Sequence, residues 1–249
     1  MSDPVQTLAI DVGGTGIKAS VLDEQGHEVT ERVRVATTYP MAPDHLVDVV
    51  KDLSGRLPRF DRVAVGFPGV VREGIIRTAP HFVTKHGPGT KVSAELTRQW
   101  DRYDLTSALT KALGAPTRVA NDADLQGAAV VAGTGLELVV TLGTGVGTAL
   151  FWQGRLAPHL ELAHHPFRRD QSYNEQIGDA ARRRIGKRRW NRRVQLALQT
   201  MSALVLYDHL YIGGGNSTRI DFDPGADATI VNNEAGILGG IKLWENDVF

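Results

Sequence analysis

"LAIDVGGTGIKASVLD", Leu8 to Asp23, and "VVTLGTGVGTALFWQG", Val139 to Gly154, carry one pattern twice. In each, an apolar run leads into a cluster of Gly and Thr, and a second run alternates like a strand on the far side. Glycine permits positive φ and close backbone approach. Successive N–H groups of Gly13, Gly14, Thr15 and Gly16, or of Gly143, Thr144, Gly145 and Gly147, can therefore converge on an anion. Thr15 and Thr144 add hydroxyl donors, and Lys18 adds a cation. Asp11 ends the first strand, where a carboxylate can hold a hydrated Mg²⁺ beside phosphates. Such a repeat, about half a chain apart, predicts an internal duplication: two α/β lobes facing a cleft, each holding one end of a phosphate chain. Gly14 to Ala19 formally meets the dinucleotide fingerprint G-x-G-x-x-G/A, but that motif opens a helix and here a strand follows. The P-loop pattern is absent. Two ordinary hairpins remain the bland alternative, against which Asp11 and Lys18 speak.

The bulk composition sets limits. The chain has 249 residues, 42% hydrophobic and 22% charged, which suits a globular chain with a sizeable core. Lys plus Arg and Asp plus Glu are both 28, so global charge points to neither nucleic acid nor membrane, and electrostatics must be argued locally. There is no Cys, which excludes disulfides, thiolate nucleophiles and Cys-ligated zinc; no structural zinc is expected. "MSDPVQTLAID" has neither a basic n-region nor an apolar h-region, and no run approaches about 18 apolar residues. A cytoplasmic protein without a membrane partner is expected.

Along the chain, strands are expected at Thr7 to Val12, Ile17 to Leu22 and His27 to Val35, and a helix from Pro43 to a stop at Pro58. A buried strand at Val63 to Phe67 runs into "GFPG", and "REG" at Arg72 to Gly74 suggests a hairpin. Thr78 to Asp104 resists assignment. A helix face at Leu105 to Leu113 and a strand at Thr117 to Ala120 precede a helix from Asp122 to about Ala132. Trp190, Val194, Ala197, Met201 and Leu204 share a helical face, Leu210 to Ile212 is a strand ending in "GGGN", and Asn233 leads a final helix. The lobes are placed at residues 1–120, joined by the C-terminal helix 234–249, and 121–233.

"VANDAD" puts Asn121 and Asp122 at a strand end entering a helix. A hydroxyl is a poor nucleophile until its proton is accepted, so phosphoryl transfer to an alcohol needs a positioned carboxylate. Asp122 is the candidate base and Asp124 its competitor; simple helix capping is the alternative for Asp122. "LELAHH" spaces Glu161 and His164 on one face of a turn, where carboxylate and imidazole suit neighbouring sugar hydroxyls. A metal at His159, His164 and His165 is weaker, without Cys or HExxH spacing. Glu175 in "NEQIG" could add an acceptor.

"DVGGTGIKA", "GFPG", "NDAD", "TLGTGVGTALF", "ELAHH" and "IGGGN" stand in the order seen in ROK-family sugar kinases, which this chain resembles over nearly its whole length. "HHPFR", "KRRWNRRV" and "YIGGGN" resemble its polyphosphate-dependent glucokinase and glucomannokinase branch. The resemblance implies a duplicated, two-lobed actin-like/hexokinase-like (ribonuclease H-like) fold with a central cleft that closes on substrate. It implies Asp122 as base for a sugar 6-hydroxyl, and Asn121, Glu161, His164 and Glu175 on the sugar with Gly69 at the rim. Asp11, Gly14, Thr15, Lys18, Thr144 and Gly145 would hold phosphates and Mg²⁺. Gly213, Gly214, Gly215 and Asn216 would lie against an adenosine, if one binds. Members commonly form homodimers, so a homodimer is the implied assembly. Two departures stand out. The Cys-rich zinc site of most members is missing, as in the polyphosphate branch. After "RTA", where the family offers an Asn and a nearby Trp, this chain has "PHFVTKHGPGTKVSAELTRQW", with His81 near the expected Asn and Trp100 far downstream. The hexose is left open.

From Arg182 to Arg193, eight of twelve residues are Lys or Arg and none is acidic. Arg189, Arg192 and Arg193 neighbour one another on a helix, and forked guanidinium donors suit polyphosphate oxygens. The alternatives are a solvated basic face or a nucleic-acid patch. Nucleic acid would bring interleaved aromatics, and only Trp190 is present; no nucleic-acid partner is expected. Donor readings therefore run from polyphosphate to ATP. A sugar-binding or regulatory relative without catalysis is the rival class; no DNA-binding segment is expected before Thr7.

Overall fold

The computed structural model describes residues 4–87, 89–231 and 235–245. The opening phrase folds as the hairpin β1 (Thr7–Val12) and β2 (Gly16–Leu22), registered so that Asp11 faces Lys18. β3 (Val33–Ala36) adds to β2, with Lys18 opposite Arg34. The alternation expected from His27 is therefore paired only at its end, and Glu28 contributes an isolated bridge to Leu22. After α1 (Pro43–Ser54), β4 (Arg62–Phe67) runs parallel to β1. Next come the small hairpin of β5 (Val71–Arg72) and β6 (Ile75–Ile76), α2 (Ala94–Trp100) and α3 (Leu105–Leu113). β7 (Thr117–Asn121) completes the first sheet, parallel to β4, and passes directly into α4 (Asp122–Ala128), shorter than expected. The order is β3-β2-β1-β4-β7.

The second phrase repeats this plan. β8 (Leu136–Leu142) and β9 (Val146–Trp152) form the hairpin, and β10 (Arg155–Leu156) extends it. The hairpin of β11 (Pro166–Arg168) and β12 (Gln171–Ser172) leads to α5 (Tyr173–Ile177), α6 (Asp179–Ile185) and α7 (Lys187–Val205). β13 (His209–Gly213) joins β8 in parallel and β14 (Ala228–Ile230) joins β13 in parallel, in the order β10-β9-β8-β13-β14. Two antiparallel pairings followed by two parallel ones, in matching positions, are the duplication expressed as topology. The last helix, α8, spans Ala235–Lys242; its expected start at Asn233 lies outside the described residues.

Two compact units result. One takes the chain up to Leu125 together with the stretch that begins at Gly236, and the other takes Gln126–Ala235. The segment after Thr78 sends two aromatic side chains into the core of the first unit: Phe82 and Trp100 are fully buried with Phe67, at ring separations of 5.3 to 5.6 Å. Trp100 Nε1 donates to Met41 O at 2.9 Å, so this indole is tied into the interior. Aromatic pairs of this kind contribute about 0.5–1.5 kcal/mol each beyond burial. In the second unit, Trp190, Val194, Ala197 and Met201 of α7 pack with Leu138 and Val140 of β8 and Ile212 of β13. Among the described residues no helix is long and apolar enough to cross a membrane.

One buried charge organises the second sheet. Glu137 in β8 is 0% exposed, and its carboxylate accepts from the N–H groups of Ala132 (2.7 Å), Gly133 (2.9 Å) and Thr134 (3.2 Å) and from Tyr211 OH (3.1 Å). Glu137→Ala leaves those donors without their acceptor, and a loss of about 3–5 kcal/mol is expected. Urea unfolding checks this; a change below about 1 kcal/mol would refute it.

Candidate active site

β1, β4 and β7 are parallel, so their C-terminal ends share one edge of the first sheet. That edge carries Asp11 and the Gly13–Gly16 turn, Gly69, and Asn121 with Asp122, which is where open α/β sheets bind ligands. Asp122 is the first residue of α4, and its Oδ1 accepts from Ala123 N at 2.9 Å. It sits over Gly66, where an added Cβ would lie 3.5 Å from Asp122 Cα. Since Gly66 is the register partner of Asp11, Asp122 lies above a strand next to that carboxylate. Asn121 is buried and structural in part. Its Oδ1 accepts from Ala123 N (2.8 Å) and Asp124 N (3.3 Å), and its Nδ2 donates to Gly69 O (2.9 Å).

The turn between β1 and β2 is held from one side. Gly13 O accepts from Thr37 Oγ1 at 2.6 Å, and Gly14 O accepts from the Tyr39 hydroxyl at 2.7 Å. Burial pushes the Tyr39 phenol up, which keeps it a donor. In a trans planar peptide the following N–H points opposite to the carbonyl. The N–H groups of Gly14 and Thr15 are thereby aimed away from Thr37 and Tyr39. Lys18 Nζ rests on Asp11 Oδ2 at 3.3 Å, both partly exposed, and Arg34 lies against Gly16. A single carboxylate already sharing a lysine fits Mg²⁺ held through its water shell and a ligand's phosphates, not a direct protein cage. Among the described residues no group of three His, Asp, Glu or Cys could hold a metal, and this includes the His159, His164 and His165 alternative.

The second unit repeats the device with other residues. Gly143 O accepts from Asp179 N (3.1 Å) and Asn216 Nδ2 (3.1 Å), and Thr144 O accepts from Asp179 N (3.2 Å). The N–H groups of Thr144 and Gly145 point the other way by the same peptide geometry. Val146 N, just past the turn, donates to Asn174 Oδ1 at 2.6 Å. Burial pushes the Asp179 carboxyl up, but Arg182, Arg183 and Asn216 outweigh it and hold the group below the usual range. Gly213, Gly214, Gly215 and Asn216 follow β13 at the same sheet edge as Gly143, and Asn216 N donates to Leu142 O at 2.8 Å.

The expected sugar ligands of this unit cluster around α5. Glu161 precedes a 3₁₀ turn at Leu162–His164 that packs against α5. Glu161 Oε2 is 3.6 Å from His159 Nε2, and His164 Nε2 is 3.5 Å from Asn174 Nδ2. Glu175 closes a capping box, accepting from Ser172 N (2.8 Å) and Ser172 Oγ (2.9 Å). Those bonds, and then the charge of His164, hold its carboxyl below the usual range. Arg189 and Arg192 are exposed, and Arg193 is half-buried, with Nη1 3.5 Å from Gln176 O. Sequence reasoning missed the carbonyl anchors Thr37, Tyr39 and Asp179. The only signal for Asp179 was an acid just after a glycine.

The ROK family profile matches residues 7–160. The chain belongs to the ROK family. Polyphosphate glucokinase of Mycobacterium leprae (strain TN) is 27% identical over 97% of this chain and 75% of that protein. An N-acetylmannosamine kinase of Citrobacter koseri is 30% identical over 65% of this chain and 53% of the relative. Among solved structures, inorganic polyphosphate/ATP-glucomannokinase from Arthrobacter sp. strain KM is 28% identical, covers 96% of this chain and 97% of its own, and has a TM-score of 0.80. The fold of this ROK protein is accordingly of the duplicated actin-like/hexokinase-like class.

Proposed function

We propose that this ROK protein is a sugar kinase that moves a terminal phosphoryl group from polyphosphate, and also from ATP, to the 6-hydroxyl of glucose or a related hexose. The observation that carries the reading is the pair of Gly-Thr turns whose carbonyls are anchored from one side, by Thr37 and Tyr39 and by Asp179 and Asn216. Such anchoring presents backbone N–H groups to an anion at no cost in reorganisation. Membership of the ROK family and the names of the relatives agree with it.

In this reading Asp122 accepts the proton of the sugar hydroxyl as that oxygen attacks the terminal phosphorus. The bond from phosphorus to the bridging oxygen breaks, and the electron pair stays on the departing chain, now one phosphate shorter. Lys18, Thr15, Thr144 and the turn N–H groups offset charge on the non-bridging oxygens. Asp11 would hold Mg²⁺ through water, and the ion would supply further neutralisation of phosphate charge. Glu161, His164 and Glu175 would accept from ring hydroxyls, and Arg189, Arg192 and Arg193 would hold polyphosphate. Gly213 to Asn216 would face an adenosine when ATP is the donor. An ATP-dependent kinase for another sugar is the second reading, favoured by the N-acetylmannosamine kinase relative and by Phe82 and Trp100 being buried in the core.

The test is a matrix of hexoses against ATP and polyphosphate. Sugar-dependent transfer from polyphosphate is expected. Replacing Arg189, Arg192 and Arg193 by Gln should raise KM for polyphosphate at least tenfold more than for ATP. Sugar binding without transfer from either donor would establish a binding protein instead.

A further inference from the structure

The basic run does not behave as one surface. Arg182 and Arg183 are paired with Asp179 at 2.8 and 2.7 Å, and Lys187 lies 3.7 Å from Asp221. Two other arginines converge elsewhere. Arg184 Nη2, from α6, donates to Glu175 O at 3.4 Å, and Arg193 Nη1, from α7, lies 3.5 Å from Gln176 O. Both guanidinium groups therefore end at adjacent carbonyls of α5, where a helix C-terminus favours cations. Arg189 precedes Arg193 by one helical turn on the same face of α7. Arg168 and Arg169 arrive from the β11–β12 hairpin just before α5, both exposed. Burial first, and then the charges of Arg168, Arg184, Arg169 and Arg189, hold the Arg193 guanidinium below its ordinary value. Like charges brought together from three elements, the β11–β12 hairpin, α6 and α7, repel, and a bound polyanion relieves that repulsion.

We propose that Arg168, Arg169, Arg184, Arg189 and Arg193 form a tail site for inorganic polyphosphate, holding the chain beyond its reacting end at the Gly143–Gly145 turn. This rests on the phosphate reading of that turn. α5 links the two places: its Asn174 side chain accepts from Val146 N at 2.6 Å, while its carbonyls at Glu175 and Gln176 hold the arginines. Nucleic acid fits less well. Trp190, the aromatic residue within the basic run, is 0% exposed with Nε1 donating to Ile177 O at 2.7 Å, so it presents no face for base stacking. The three phosphates of ATP are too few to pair with five guanidinium groups at once. The arginines therefore govern the use of long chains, and Arg168, Arg169 and Arg184 join the residues of the α7 face.

The test compares the whole protein with its Arg168→Ala/Arg169→Ala/Arg184→Ala variant by equilibrium binding of long-chain polyphosphate, tripolyphosphate and ATP, across a salt series. Long-chain binding should weaken at least tenfold and lose part of its salt dependence, while tripolyphosphate and ATP stay within about twofold. The corresponding triple Lys variant should retain most of the long-chain affinity. Equal weakening for all three ligands, unchanged long-chain binding, or tighter binding of single-stranded DNA than of polyphosphate would each overturn the proposal. Thermal melting monitors the fold, and Arg169→Ala alone, at the hairpin tip, gives a milder variant with the same direction. Because binding is read without turnover, failure of the kinase reading shows separately: no hexose is phosphorylated, yet long-chain affinity still depends on these arginines.

Discussion

Asp122→Asn is expected to lower kcat for hexose phosphorylation by about 10²–10⁴-fold, the usual contribution of a general base, with sugar affinity and melting temperature nearly unchanged. Asn keeps the shape and an oxygen able to accept from Ala123 N, which Asp122 Oδ1 does at 2.9 Å. It removes the one property the reaction needs, a carboxylate that can take a proton. The location argues for the chemistry: Asp122 follows β7 at the sheet edge shared with Asp11 and the Gly13–Gly16 turn, and packs over a glycine, Gly66, that leaves it room. Asp124 is the comparison. It is 2% exposed, so Asp124→Asn should act on stability first and on kcat only through it. Sugar titration, single-turnover transfer and thermal melting, run on both variants, separate the two roles. Activity of Asp122→Asn within tenfold of the parent, with fold intact, would remove it as the base.

The sheets were legible because their signal is local and repeated. Apolar runs such as Leu8 to Val12 and Leu136 to Leu142, each closed by Gly and Thr and followed by an alternating run, read as hairpin strands, and the repetition is matched in the topology. The paired Gly-Thr hairpin turns followed. What failed to show was whatever depends on partners distant in sequence. The alternation from His27 reads as a long strand, yet only Val33–Ala36 finds a partner in β2. The polar, Gly- and Pro-bearing stretch after Thr78 gives no period, because Phe82 and Trp100 are buried by tertiary contact with Phe67 and Met41. Glu175 is a local exception: it reads as a sugar acceptor or, taken alone, as a solvated helix face, and the structure shows it engaged in a capping box with Ser172, three residues before it. Charge runs carry least information of all: Arg182 and Arg184 look alike in sequence, but one faces Asp179 and the other the end of α5.

Gly214→Ala is expected to cost the second unit at least about 3 kcal/mol, combining the strain of a non-glycine residue at positive φ with a backbone clash. Gly214 has φ +84°, and an added Cβ would lie 2.5 Å from Leu142 O and 2.6 Å from Leu142 N. Both contacts are with main chain at the end of β8, so no side chain can rotate away. The strand end that would have to move is the one that leads into Gly143, and Asn216, two residues after Gly214, donates to Leu142 O and Gly143 O. A shift there therefore disturbs the anchoring of the Gly143–Gly145 turn as well as the sheet. Gly143→Ala is the control. Nothing lies within 4 Å of a Cβ at that position, so the fold should be kept, and any effect should fall on donor affinity, where a methyl group crowds an incoming phosphate. Hydrogen exchange of β8 and β13 amides, with KM for each donor, reads both variants. Gly214→Ala with exchange rates and donor KM like the parent's would mean that the Gly213–Asn216 turn is free to move away from Leu142, and that the turn at Gly143 owes its geometry to Asp179 alone.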